Sequence, residues 1–194
     1  MIIIVGLGNP GRKFKGTRHN LGREALDLFL KKYKEKYGLS NWKKEKKLQA
    51  EIVKSKSPHK IILLAKPLNF MNLSGETVYL ILSFYKIEPQ NLVVVYDDID
   101  IPLGKIKIAK NRGAGGHKGV LSIFSRIKTK NFSRIRIGIL PQSSKPEKVE
   151  DFVLKKFKKE EKEKTKKGLE LATKAIDLII EKGPAIAMNI FNKE

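Results

Sequence analysis

The sequence predicts a three-layer α/β fold, a mixed twisted sheet flanked by helices, forming a single domain over residues 1–194. Short β-branched runs and segments of helical periodicity follow one another in the order βαββαβ, the pattern of a sheet layered between helices. An apolar content of 41% in 194 residues supplies one substantial core and would be cramped for two. No internal repeat or low-complexity linker divides the chain.

Residues 2–5, Ile-Ile-Ile-Val, read as a strand buried on both faces. Gly6, Gly8, Pro10 and Gly11 then turn the chain sharply, so Asn9 projects from the strand end. Asn20 is the expected cap of a helix whose apolar stripe runs through Leu21, Ala25, Leu28, Phe29 and Tyr33 and ends near Gly38. Residues 48–54 and 61–65 read as strands around a Ser57-Pro58-His59 turn that exposes His59, and Pro67 stops the second strand. Ser74 opens a second helix with Val78, Ile81, Leu82 and Tyr85 inward, Pro89 breaks it, and residues 92–95 form another buried strand.

Residues 105–108 alternate Lys, Ile, Lys, Ile, which places the lysines on the outer face of a half-buried strand. A glycine-rich loop, Gly113 to Gly119 with His117 and Lys118 in it, leads through a short helix to residues 134–140, where Arg134 and Arg136 again alternate with isoleucine. A long amphipathic helix over residues 160–182 closes at Gly183-Pro184.

Net charge is +21, from 41 Lys and Arg against 20 Asp and Glu, a balance that favours a polyanionic partner, with nucleic acid the leading class. A lysine-rich surface set by genome composition or by growth at high temperature is the competing explanation. Part of the charge does read as solvated helix: Asp151 with Lys155, Glu160 with Lys164 and Glu163 with Lys167 are i,i+4 pairs. No 18-residue apolar run and no basic segment ahead of an apolar one is present, so neither a membrane span nor a secretory signal is expected, and the chain is assigned to the cytoplasm. Zero cysteines exclude a cysteine nucleophile and thiolate zinc ligands.

Gly6-x-Gly8-x-x-Gly11 formally matches a dinucleotide-binding fingerprint, but residues 12–18 intervene before any helix, and position 30 lies inside one. Strand ends collect the chemical candidates instead: Asn9 and His19, then Asn69 and Asn72, then Asp97, Asp98 and Asp100. A carboxylate that accepts one ring N–H of a histidine fixes the tautomer and leaves the other nitrogen to take a proton from water. His19 and an aspartate of the 97–100 loop fit these roles. Asn9 and Asn72 would donate to a developing oxyanion, unless Asn72 merely caps the following helix. Asp100 is the expected structural aspartate of the turn. His19, His117 and an aspartate also compose a two-histidine, one-carboxylate set. No His-x-x-x-His spacing supports a metal there, and Gly-x-Ser-x-Gly is missing, which leaves activated water as the nucleophile.

Several motifs in one order give the chain a close resemblance to bacterial-type peptidyl-tRNA hydrolases. They are residues 6–11, Gly-Leu-Gly-Asn-Pro-Gly; Thr17-Arg18-His19-Asn20; Lys66-Pro67 with residues 70–75, Phe-Met-Asn-Leu-Ser-Gly; residues 97–100 with Pro102 and Gly104; Gly115-Gly116-His117; residues 134–138, Arg-Ile-Arg-Ile-Gly; and Ala187-Met188-Asn189. The resemblance implies cleavage of the ester between a peptide and the tRNA ribose by a cofactor-free monomer, with the acceptor end of tRNA as partner. It assigns the base to His19, its support to Asp97, and the positioning of substrate and water to Asn9 and Asn72. Substrate contacts are expected from Phe14, Phe70, Met71, Asn72, His117, Lys118, Lys107, Lys110 and Arg136. Three positions depart from the usual pattern: Lys118 replaces an asparagine, Phe14 a tyrosine, and Ala109 a basic residue of the 5′-phosphate clamp. Lys107 and Lys110 flank Ala109, and Arg136 matches the second clamp residue. A non-catalytic RNA-binding protein and a metal-dependent peptidase or nucleosidase are the alternatives from other classes.

Overall fold

The computed structural model describes residues 1–56, 61–141 and 145–193. Its centre is β1 (Ile2–Gly6), in which Ile3, Ile4 and Val5 are fully buried. Parallel pairing joins β1 to β4 (Ile62–Pro67) on one side and to β5 (Leu92–Pro102) on the other, and β5 to β7 (Ser133–Leu140). Antiparallel strands close both edges: β3 (Ala50–Lys54) and β2 (Lys43–Glu45) beyond β4, and β6 (Ile106–Lys110) beyond β7. The seven-stranded mixed sheet runs β2-β3-β4-β1-β5-β7-β6.

Alternation along each strand sorts the side chains between two helical layers. Ile4, Val93, Val95, Ile135 and Ile137 pack beneath α1 (Leu21–Tyr33), α5 (Lys162–Lys182) and α6 (Pro184–Phe191). Ile3, Val5, Val94 and Tyr96 pack beneath α2 (Ser74–Tyr85) and α3 (Lys118–Ile127). A Cβ on Gly22 would meet the Val95 carbonyl oxygen at 2.2 Å and the Leu7 amide nitrogen at 2.6 Å. Only glycine lets the first turn of α1 rest on the sheet backbone, and that approach seats His19 beside Asp97 of β5. No helix among the described residues is long and apolar enough to cross a membrane.

Several elements differ from the sequence reading. β5 does not stop at residue 95 but continues through the aspartates to Pro102, with a register shift against β7 between Asp98 and Pro102. The acids remain in the strand because each finds a partner, so the pattern loses its hydrophobicity without losing its period. β2 is a charged edge strand with no apolar signal, and Leu48 sits in a 3₁₀ turn ahead of β3. The stretch 151–167 is interrupted: α4 (Val149–Val153) ends, a 3₁₀ turn covers Lys159–Glu161, and α5 then begins, so Asp151 and Lys155 share no helix. α1 ends at Tyr33 rather than near Gly38, and Asn20 does not cap it. Ser74 donates to the Met71 carbonyl instead of capping α2. His59 lies outside the described residues.

The two arginines of β7 are not equivalent. Both face the α2–α3 layer, where α3 and the glycine-rich loop cover Arg134 completely. Its guanidinium donates to the Gly113 and Arg112 carbonyls and to the Tyr96 hydroxyl. Arg134 is therefore a buried anchor of the loop and not part of an outward basic face. Arg136 is half-buried at the rim. Lys107 stands opposite Arg136 in the β6–β7 register, whereas Lys110 has the parity of Ile106 and Ile108 and points to the other side of the sheet.

Candidate active site

The turn after β1 is held by a reciprocal pair of amide bonds. The Asn9 backbone N–H donates to Asn20 Oδ1 at 2.8 Å, and Asn20 Nδ2 donates to the Asn9 carbonyl at 3.0 Å. This bond is the reason Asn20 is spent on the loop and not on the helix start. Asn9 Oδ1 accepts from the Met71 backbone N–H at 2.9 Å, which fixes the flip of the Asn9 amide. Its Nδ2 group is left to donate into the cavity that Asn9 lines.

His19 ends up beside β5 because a 3₁₀ turn, Arg18–Asn20, packs on that strand. Its Nδ1 lies 2.9 and 3.0 Å from the two Asp97 carboxylate oxygens. Nδ1 therefore carries the proton, and Nε2 is the acceptor left for water. His117 meets the same carboxylate from the N-terminus of α3. Its Nδ1 accepts from the Val120 backbone N–H, so its Nε2–H is the group that donates to Asp97 Oδ1 at 3.2 Å. The two rings stand 4.8 Å apart, and Tyr96 packs edge-on against His117. Burial on its own would push the Asp97 carboxyl up, but the two imidazoles and their N–H bonds outweigh it and hold the group below the usual carboxylate range.

Asp98 does different work one residue on. Its Oδ2 accepts from Arg136 Nε at 2.7 Å, and its Oδ1 accepts from the Asp100 backbone N–H at 2.9 Å. The structural aspartate is thus Asp98 rather than Asp100, which is exposed and pairs with Lys145. Alternation along β5 separates the roles, because Asp97 shares the parity of Val95 and Asp98 that of Tyr96.

Around this dyad lies a cavity of about 560 Å³. Asn9, His19, Asp97 and His117 form its polar end; Phe70, Met71 and Asn72 form one wall. Met71 is buried, while Asn72 is exposed and makes no capping bond to α2. Phe14 does not line the cavity and instead meets Phe70 edge-on at 6.1 Å. Lys118 stands at the mouth, paired at 2.8 Å with Glu150, both well exposed. Lys107, Lys110 and Arg136 lie outside the cavity. The far wall, Val149, Glu150, Val153 and Leu154, belongs to α4 and the residue after it. Sequence reasoning missed that wall, since its short apolar spacing carries no motif; it did group His117 with His19 and an aspartate, but as a candidate metal set and not as a second N–H donor to the carboxylate of the base.

His19, Asp97 and His117 are the single group of three potential metal ligands among the described residues, with ligand atoms within 4.8 Å of one another. The hydrogen bonds argue for a proton-transfer site. As long as His117 Nδ1 accepts from Val120, its Nε2 holds a proton and offers no lone pair to a cation.

The family described as Peptidyl-tRNA hydrolase matches residues 3–194. A peptidyl-tRNA hydrolase of Alkaliphilus oremlandii is 41% identical over 196 residues, covering 99% of this chain and 100% of the relative. One from Thermodesulfovibrio yellowstonii is 42% identical over 201 residues and covers both chains fully. The crystal structure of peptidyl-tRNA hydrolase from Acinetobacter baumannii superposes with a TM-score of 0.87 at 32% identity, covering 99% of this chain and 94% of that one.

Proposed function

The chain belongs to the peptidyl-tRNA hydrolase family and hydrolyses the ester of peptidyl-tRNA, and from that premise we propose that His19 activates the attacking water. The observation that carries the assignment is the His19 Nδ1 to Asp97 contact at 2.9 Å, which commits one ring nitrogen to the carboxylate and frees the other. In the reading we favour, Nε2 takes a proton as the water oxygen bonds to the ester carbonyl carbon. The Asn9 Nδ2 group donates to the oxyanion that forms, and Asp97 stabilises the imidazolium. Collapse of the tetrahedral intermediate breaks the bond to the ribose oxygen, which receives the proton back from Nε2. Asn72, Phe70, Met71, His117 and Lys118 act as substrate contacts, with Phe14 bracing Phe70. Incubating the protein with N-blocked aminoacyl-tRNA should release the acyl group; no ester loss would refute the activity.

We further assign the tRNA acceptor end to the rim outside the cavity. Asp98 occupies Nε of Arg136, so the Nη groups are presented for a phosphate, with Lys107 opposite in the neighbouring strand. Lys110 points away and belongs to this clamp only if the RNA wraps the edge of the sheet. Neutralising Arg136 or Lys107 should raise the Michaelis constant more than it lowers turnover, and should reduce the log-log salt slope of binding by roughly 0.7 to 0.9. Lys164→Ala, on the exposed face of α5, should do neither. Equal losses from Lys164→Ala and Arg136→Ala would mean that bulk charge holds the RNA.

The three-ligand group favours one competing reading, metal-assisted hydrolysis. Our account expects chelator to leave turnover unaltered. Activity that disappears with chelator and returns with zinc or manganese would establish the metal reading instead. We place the protein in the cytoplasm as a monomeric single domain over 1–194, in keeping with a role in translation.

A further inference from the structure

Next to the base, Arg18 is 3% exposed and reaches into a segment more than 130 residues away in sequence. Its Nη1 donates to the Lys155 and Lys156 carbonyls, and its Nη2 lies 2.7 and 2.6 Å from the two Glu161 carboxylate oxygens. The guanidinium carbon is 4.1 Å from the centre of the Phe152 ring and 4.8 Å from that of Phe157. The Arg18 backbone N–H also donates to the Lys155 carbonyl, and Thr17 forms a bridge with Lys156. Nε is left buried without a partner among the described residues.

The segment so gripped carries the far wall of the cavity. α4 is five residues long, too short to hold itself as a helix, and it packs against the turn bearing Arg18 and His19. Stability does not explain the choice of side chain, since a buried ion pair is often matched or bettered by apolar packing of the same volume, and this one retains an unsatisfied N–H. A forked cation does what an apolar side chain would not: it fixes the distance between two backbone carbonyls, a carboxylate and the turn of the base at once.

We infer that Arg18 is a positioning residue, a clamp that sets the apolar wall of Val149, Val153 and Leu154 at its working distance from His19. The wall touches substrate alike in the ground state and the transition state, so releasing it weakens binding without touching the proton transfer. Arg18→Lys keeps the charge and loses the fork; Glu161→Gln keeps the packing and loses the ion pair, at a residue outside the cavity.

On N-blocked aminoacyl-tRNA, each variant should raise the Michaelis constant about tenfold with turnover within about threefold of the parent, and the double variant should be no worse than Arg18→Lys alone. Thermal unfolding followed in parallel shows that the variants are folded at the assay temperature, and Glu161→Gln decides alone if Arg18→Lys does not fold. An unchanged Michaelis constant in folded Glu161→Gln, a loss confined to turnover, or multiplying effects in the double variant would overturn the inference. It rests on the cavity being the hydrolytic site. Full activity in His19→Ala would remove that reading, whereas a large loss there with unchanged constants here would remove only this one.

Discussion

Replacing His19 by alanine should lower turnover about 10²- to 10⁴-fold while leaving the fold intact, because a general base of this kind contributes on that scale. The expectation follows from the position of the ring. His19 stands on a short turn rather than inside a long helix or a strand, and among the described residues its side chain hydrogen-bonds to Asp97, so its removal leaves the layers of the fold in contact. Circular dichroism and the unfolding transition establish that the variant is folded, and ester loss from N-blocked aminoacyl-tRNA measures the effect. Unchanged turnover in a folded variant would eliminate the assignment.

Asp97→Asn should depress activity by a similar factor for a different reason. The substitution keeps the size of the side chain and an acceptor for His19 Nδ1–H, but an amide carries no charge to stabilise the imidazolium formed in the transition state. The carboxylate also accepts from His117, so its loss disturbs both rings. The sign of the pH dependence follows from the depressed Asp97 carboxyl. Such a group is ionised in the folded state throughout the range above the ordinary carboxylate value of about 3.9 and yields its charge only below it. Any loss of activity on acidification above that range therefore belongs to a group other than Asp97. Asp98→Asn should act through Arg136 and the salt dependence, so a large turnover loss there with none in Asp97→Asn would reverse the two roles.

Much of this was legible in the residues themselves. Four β-branched or isoleucine positions followed by a glycine-proline turn can only be a buried strand with a sharp exit, and that places Asn9 at the rim before any coordinate is known. A mixed sheet was legible too, but its order, with antiparallel strands at both edges of a parallel centre, was not, because alternation assigns faces and not neighbours and β2 carries no apolar signal. The choice between Asp97 and Asp98 was not open to the residues alone as long as the strand was taken to end at 95, since alternation assigns faces only within a strand. The resemblance to a family pointed to Asp97, and the length of β5 supplies the physical reason. Arg134 shows the opposite limit: a period of two says which side chains share a face, not whether a helix and a loop cover it. The wall at 149–154 and its tie to Arg18 depend on contacts between distant parts of the chain, and no local pattern announces them.

The claim that Asp97 works through His19 is tested most directly by one comparison, the turnover of the His19→Ala, Asp97→Asn double variant against His19→Ala alone on N-blocked aminoacyl-tRNA. If the two residues form one proton-transfer unit, removing the carboxylate after the base has gone costs nothing further, and the two rates agree within about threefold. A further loss approaching the full effect of Asp97→Asn in the parent would contradict the account, because the carboxylate would then be acting on the substrate, on His117 or on a bound cation without His19.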